Sequence, residues 1–306
     1  MFEVLVNTEN FNKKNFFGIS VLKKKKIKII FNNTKKKITQ NYLKKNVNER
    51  TIAILADLEK YDKDIIDRCK NLKIISRFGV GTDNLDLKYI KNKKIKIKIT
   101  QKSTPYSVAE FVVGMIFSLI KRIHLVDNSV KMHRWVRLNG FLLKNKKIGI
   151  VGFGRIGSLV AKLLQPFNCS FLIYEKKKIK NTKYKKTSLK KLFKESDIIT
   201  IHLNSSLENK NLINKNYLKL MKKNSFLINT SRGDLLNEND LYKFLKKNFF
   251  LGAALDCFKN EPYFGKLSKL KNIILTPHIA SNTVECRELM EIESSKNIFE
   301  SIKNII

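Results

Sequence analysis

Residues 146–177, KKIGIVGFGRIGSLVAKLLQPFNCSFLIYEKK, carry Gly152, Gly154 and Gly157 in the spacing G-x-G-x-x-G. The spacing alone is common. Its context gives it chemistry, because a β-branched run, IGIV, precedes it and a helical pattern, SLVAKLLQPF, follows. In a strand, turn and helix of this kind, Gly152 permits the turn, Gly154 lets the backbone approach a pyrophosphate, and Gly157 lets the helix pack against the strand. The phosphates would lie at the helix N-terminus, beside Arg155 and Ile156, where free N–H groups and the dipole favour anions. Glu175 follows at the end of the next apolar strand. A carboxylate there would accept hydrogen bonds from a ribose diol and repel the extra phosphate of NADP. Lys176, Lys177 and Lys178 would offset part of that repulsion, and NAD is the expected cofactor. A glycine turn without a ligand is the plain alternative.

The elements that must position this loop are legible as alternating apolar units. Strands are expected at 27–31, 51–56, 72–78 and 95–100, with a helical pattern in KYDKDIIDRCKN between the middle two. A second series begins at the glycine loop, with strands at 147–152, 171–175, 197–203, 225–229, 251–256 and 273–276. Alternating strands and helices predict parallel sheets covered on both faces. Between the series, Thr104 and Pro105 suit a helix start, and the run SVAEFVVGMIFSLIKRI predicts a long helix with apolar residues on nearly every side. An amphipathic segment, 283–305, has no strand after it and is expected to cross back onto the first series.

At 306 residues and 43% hydrophobic content the chain can bury a proper core, and two domains are expected. The N-terminus lacks the pattern of a signal peptide, and the most apolar window, 111–120, is too short to span a bilayer. A cytoplasmic protein is therefore expected. The four cysteines show no C-x-x-C and no metal-ligand spacing, so reduced thiols and no metal are expected. The net charge of +36 raises nucleic acid or an anionic surface as a partner. Yet only nine of the 62 basic residues are Arg, which leaves 53 Lys, and these are spread through most surface segments. Together with abundant Asn and Ile this reads as A/T-rich coding, and no specific nucleic acid or membrane partner is expected.

Several separate motifs, spanning about residues 50–300, are similar to those of the D-isomer-specific 2-hydroxyacid dehydrogenases, and most to their phosphoglycerate dehydrogenase branch. SRFGVGTDNLD resembles the loop that holds the substrate carboxylate, and RWVRLNGFLLKNKKIGIVGFGRIG the lead-in to the cofactor fold. LINTSRGDLLNENDL, GAALDCFKNEP and LTPHIASNT resemble the family's three catalytic segments. The resemblance implies an α/β architecture of two doubly wound parallel-sheet domains. A flavodoxin-like substrate domain would comprise 1–99 and 282–306, and a Rossmann NAD-binding domain 100–281, with substrate in the cleft between them. No appended regulatory domain is expected.

The same resemblance assigns roles. His278 would be the acid/base, and histidine is the side chain that titrates near neutral pH. Glu261 would pair with it, Arg232 would grip the substrate carboxylate with its planar fork, and Asp256 would orient the nicotinamide carboxamide. Thr230 and His202 would line the cofactor site, and Arg77, Gly79, Val80 and Gly81 the substrate loop. Taken singly, a surface arginine, a turn acid and a loop histidine are the bland alternatives. All three fall at strand ends, where such sheets bind ligands.

There are departures. Asn204 replaces a usual proline, Ala280-Ser281 follows the catalytic PHI, and Ala56 stands where the phosphoglycerate branch carries an arginine for substrate phosphate, with Lys60 the nearest cation. Glyoxylate or hydroxypyruvate reduction, or a non-catalytic dinucleotide-sensing corepressor, remain alternatives. A homodimer through the 103–137 region is expected, with Trp135 as an anchor.

Overall fold

A computed structural model describes residues 1–34, 38–179 and 184–304. The chain divides into two compact units, Met1–Thr104 with Asn282–Ile306, and Pro105–Ser281. No helix among the described residues is long and apolar enough to cross a membrane.

The first unit holds five parallel strands: β1 (Glu3–Val6), β2 (Lys28–Phe31), β3 (Thr51–Ala56), β4 (Ile74–Arg77) and β5 (Lys96–Ile99). Their order is β2-β1-β3-β4-β5, the flavodoxin-like order with its reversal between β1 and β3. Central β3, TIAILA, is buried at every residue, as a parallel strand covered on both faces must be. Edge strand β5, KIKI, exposes its lysines in alternation, which discourages further pairing. Sequence reading missed β1. It is only four residues long and begins with an acid, yet Glu3 is buried and compensated by Arg50 at 3.2 Å and by the Asn48 amide at 2.9 Å.

Helix Val284–Ile302 is capped by Thr283, whose hydroxyl accepts from the Cys286 N–H. Its Cys286, Met290, Ile298 and Ile302 pack with Val4, Val6, Ile52 and Leu55, so the C-terminal segment belongs to the core of the first unit. Residues 305–306 of the expected segment lie outside the described residues.

The second unit holds seven parallel strands: β6 (Lys147–Val151), β7 (Ser170–Tyr174), β8 (Lys185–Lys186), β9 (Ile198–Ile201), β10 (Phe226–Asn229), β11 (Gly252–Leu255) and β12 (Ile273–Leu275). The order β12-β11-β10-β9-β6-β7-β8 reverses between β9 and β6. Strand β8 has no apolar residue and carries no sequence signal. Helix Thr104–Ile120 covers one face of this sheet. Its Val112, Met115, Ile116, Leu119 and Ile120 pack with Ile148, Ile150 and Ile228. Most of its apolar residues are thus spent inside one chain. The exposed apolar surface lies further on, in the segment that ends at Leu142.

Candidate active site

Every strand end from β7 across to β12 presents one of the candidate residues. At the reversal point, Gly152 has φ +96°, and a Cβ there would lie 2.6 Å from the His202 carbonyl oxygen. A side chain on Gly157 would overlap the Gly152 carbonyl, whereas a Cβ on Gly154 would meet nothing within 4 Å. Turn, open cradle and close packing therefore fall on Gly152, Gly154 and Gly157, the geometry that their spacing predicts. Helix Arg155–Leu164 starts after Gly154 with no side-chain cap, which leaves first-turn N–H groups for an anion. Ile156 is half-buried against the core of this unit, and Arg155 is exposed.

Glu175 is drawn onto the glycine loop. Its Oε2 accepts from the Phe153 N–H at 2.8 Å and its Oε1 from the Lys177 N–H at 3.0 Å. Lys176 is paired with Glu208 at 2.7 Å, so its charge is partly answered. Two buried polar atoms here have no protein partner: Thr230 Oγ1 and His202 Nδ1. Burial pushes His202 down to about 3, so it is neutral, and its Nε2 lies 3.0 Å from Thr200 Oγ1. An open cradle, uncapped N–H groups, a carboxylate at the end of β7 and orphaned buried polar atoms together fit a dinucleotide. Of the remaining histidines, His124 is half-buried with Nδ1 3.4 Å from the Ser118 carbonyl, and His133 is exposed.

The candidate reacting groups come from the ends of β10, β11 and β12. Asn229 shapes the first turn, accepting from the Ser231 N–H and donating to the Arg232 carbonyl at 2.8 Å. Gly233 has no room for a side chain, because the Phe258 backbone occupies that space. The arginine loop and the Cys257–Phe258 segment are therefore pressed together. Arg232 is half-buried, and its Nη1 donates to the Ser231 carbonyl at 2.6 Å. The same carbonyl accepts from the Cys257 thiol at 3.3 Å. Glu261 accepts from the Phe258 N–H, and His278 Nδ1 lies 3.1 and 3.0 Å from its two carboxylate oxygens. The Cys257 sulfur first, and the Glu261 carboxylate second, raise the His278 pKa well above 6.5, against the opposing effect of burial. Burial holds Cys257 itself as the thiol.

His278 has φ +56°, in the left-handed region that a non-glycine residue occupies only when held there. The holder is Asp256. Its Oδ1 accepts from Thr276 Oγ1 at 2.7 Å and the Ile279 N–H at 2.9 Å, and its Oδ2 accepts from the Ala280 N–H at 2.9 Å. The resemblance implied a nicotinamide contact for this residue. In the structure it is fully buried and both oxygens are committed to the histidine loop. Ser107 adds a bond to the Ala280 carbonyl at 3.0 Å. Neither the Asp256 clasp nor Cys257 was found by sequence reading. The clasp joins residues 20 to 24 positions apart, and the cysteine has no ligand-like spacing along the chain.

The substrate-loop candidates sit in the first unit. Arg77 is buried, bonded through Nη1 to the Phe78 carbonyl and paired with Asp57 at 3.8 Å. Gly79 has φ +131°, and its N–H already donates to Thr100 Oγ1 at 2.7 Å. That N–H is not open to a carboxylate as expected, while Val80 is exposed and Gly81 half-buried. Ala56 is fully buried at the end of β3, followed by Asp57 and the buried Glu59.

Comparison with known proteins agrees with the geometry. The family model described as D-isomer specific 2-hydroxyacid dehydrogenase, NAD binding domain, matches residues 113–280. A glyoxylate reductase of Thermofilum pendens is 35% identical over 276 residues, covering 85% of this chain and 81% of that protein. A hydroxypyruvate reductase of Thermotoga maritima is 32% identical, over 92% and 96% of the two chains. The D-lactate dehydrogenase of Aquifex aeolicus, solved with NAD and lactic acid, superimposes with a TM-score of 0.84 at 29% identity, over 99% and 96% of the chains. The chain belongs to the D-isomer specific 2-hydroxyacid dehydrogenases and is an oxidoreductase that uses NAD.

Proposed function

We propose that this enzyme reduces a small unphosphorylated 2-keto acid, of the glyoxylate and hydroxypyruvate class, to the corresponding 2-hydroxy acid. The observation that carries this reading is the His278–Glu261 pair at 3.0 Å, with Arg232 on the adjoining loop. Bound NADH supplies the hydride to the carbonyl carbon. Nδ1 of His278 is held by Glu261, so Nε2 is the nitrogen left to give a proton to the carbonyl oxygen. The carboxylate of Glu261 fixes that tautomer and keeps the ring protonated. Arg232 offers a planar donor fork to the substrate carboxylate. Glu175 receives the ribose diol, and Thr230 and the first turn after Gly154 take the cofactor's polar groups. For the substrate loop we retain Val80 and Gly81, whose N–H groups are the better candidates beside the engaged Gly79.

The absence of a cation at Ala56 supports an unphosphorylated substrate over phosphoglycerate. A phosphate there would meet Asp57 and Glu59, and the neighbouring Arg77 is already bonded to the Phe78 carbonyl and paired with Asp57. Assays of NADH oxidation with glyoxylate, hydroxypyruvate, pyruvate and phosphohydroxypyruvate test the reading. One missing charged contact corresponds to ~10–100-fold, so kcat/KM for phosphohydroxypyruvate should trail the best small acid by that margin. A preference for phosphohydroxypyruvate would restore the phosphoglycerate reading. Dinucleotide binding without turnover of any 2-keto acid would favour the corepressor.

We also propose that the enzyme self-associates through Ile123–Leu142. Trp135 is 80% exposed and Leu142 68%, with Val130, Met132, Val136 and Leu138 also open to solvent. A patch of this kind calls for a cover, and a second copy of the chain supplies one of the right character. Light scattering at micromolar concentration should give a mass twice 35.6 kDa. Trp135→Ala with Leu142→Asp should reduce it to one chain, and a wild-type monomer would refute the proposal.

A further inference from the structure

The cysteines, read along the sequence, have no metal-ligand spacing. Folding changes that for one of them. The Cys257 sulfur, a Glu261 carboxylate oxygen and a His278 ring nitrogen all lie within 4.8 Å of one another. They come from the ends of neighbouring strands β11 and β12 and the turn between them.

We propose that these three side chains form an inhibitory site for a zinc-class divalent ion. Thiolate, imidazole and carboxylate are the zinc donor set, with bonds of ~2.3 Å to sulfur and ~2.0–2.2 Å to nitrogen and oxygen. Tetrahedral angles at those lengths separate the donor atoms by about 3.3–3.6 Å. The His278–Glu261 distances of 3.0 and 3.1 Å need to open only slightly, and the sulfur, within 4.8 Å of both, to approach by no more than about 1 Å. Three protein donors leave a fourth position for water. The ring orientation is already fixed, because the Asp256 clasp holds the loop on both sides of His278.

Binding is a ligand exchange with no redox change. The Cys257 thiol loses its proton to solvent, and the metal takes the place of whatever proton Nδ1 carries. Glu261 turns from hydrogen-bond partner to ligand. The imidazole is then pinned to the metal and no longer exists as the imidazolium. The site closes the proton path without touching the glycine loop or Glu175, so NADH still binds. The inhibition arm rests on the reading of His278 as proton donor, whereas the binding arm does not.

Equilibrium dialysis of the full chain against zinc, and spectroscopy of the cobalt-loaded protein, test binding directly. We expect one retained ion per chain and a sulfur-to-cobalt charge-transfer band. Both should vanish in Cys257→Val and persist in Cys169→Ser. Zinc should inhibit 2-keto acid reduction while NADH fluorescence titration is unchanged. Half-inhibition, each variant normalised to its own metal-free rate, should need at least ~10-fold more zinc in Cys257→Val, the minimum expected for losing a ligand. Should Cys257→Val fold poorly, Cys257→Ser and the wild-type cobalt spectrum carry the same decision. No retained ion, or a cobalt spectrum unaltered by loss of Cys257, would overturn the site. A retained, cysteine-dependent ion that leaves reduction intact would overturn the inhibition and, with it, the proton role of His278.

Discussion

Replacing Glu261 by Gln removes a charge while keeping an oxygen that can accept from His278 Nδ1. The ring should keep its tautomer and lose its electrostatic support. Two unit charges at 3.0 Å interact by ~1.4 kcal/mol at the dielectric of water and ~5.5 kcal/mol at an effective dielectric of about 20. The two side chains are 30% and 25% exposed, so the pair lies between these limits and toward the wetter one. A pKa unit is about 1.36 kcal/mol, and the imidazolium should fall by ~1–2 units. The sign follows from the role. Reduction needs the protonated ring, so it is present below the raised pKa of His278 and lost as pH rises through it. Without the carboxylate that loss comes earlier. The alkaline limb of kcat/KM for keto-acid reduction should move ~1–2 units toward acid, and the limb for hydroxy-acid oxidation, which needs the neutral ring, should move the same way. Rate profiles in both directions, with buffers of constant ionic strength, read this out. Limbs that stay within ~0.3 unit of wild type in an active Gln variant would show that Glu261 does not set the His278 proton affinity.

His278→Ala should lower turnover by ~10²–10⁴ while NADH titration stays near wild type, and turnover within a few-fold would remove it as proton carrier. Gly154→Val meets open space, so thermal stability should hold while NADH affinity falls. Equal affinity would mean that the cradle is not the phosphate site. Glu175→Ala should narrow the preference for NADH over NADPH in fluorescence titrations, and an unchanged ratio would move discrimination elsewhere. Asp256→Asn sets an amide N–H against either the Ile279 or the Ala280 donor and leaves that donor without an acceptor. It should cost about 1–3 kcal/mol of stability by denaturant titration and lower kcat more than it raises KM, and wild-type values for both would deny the clasp.

What could be read from the sequence was local. Gly152, Gly154 and Gly157 take three different jobs from their spacing and its context, because each depends on a strand and helix adjacent in the chain. The buried strands announced themselves through continuous β-branched runs. Strand β1 did not, since Glu3 breaks its apolar pattern and is rescued by Arg50 and Asn48, far along the chain. Helix Thr104–Ile120 was legible as an element and misjudged as a surface. A helix apolar on several sides can be satisfied by its own sheet, and Met115 is only 7% exposed. The N–H of Gly79 was assigned to substrate because sequence cannot show that Thr100, just after the next strand, already holds it.

The His278 ring, the proposed proton donor, owes its position to a buried carboxylate whose two oxygens both grip the loop around it. A left-handed residue outside glycine costs of order 1 kcal/mol or more, and persists only where its surroundings over-determine it. At His278 those surroundings are one carboxylate at the end of β11, buried where ionisation is penalised, and raised in pKa by that burial. Three donors from the loop after β12 offset the penalty, and they flank the histidine on both sides. Neighbouring parallel strands of one sheet end side by side, so a residue at the end of one can grip the loop leaving the next. The same construction puts Thr230 and Arg232 after β10 and His202 after β9. The doubly wound sheet thereby converts strand register, fixed by hydrophobic burial, into the placement of the His278 ring.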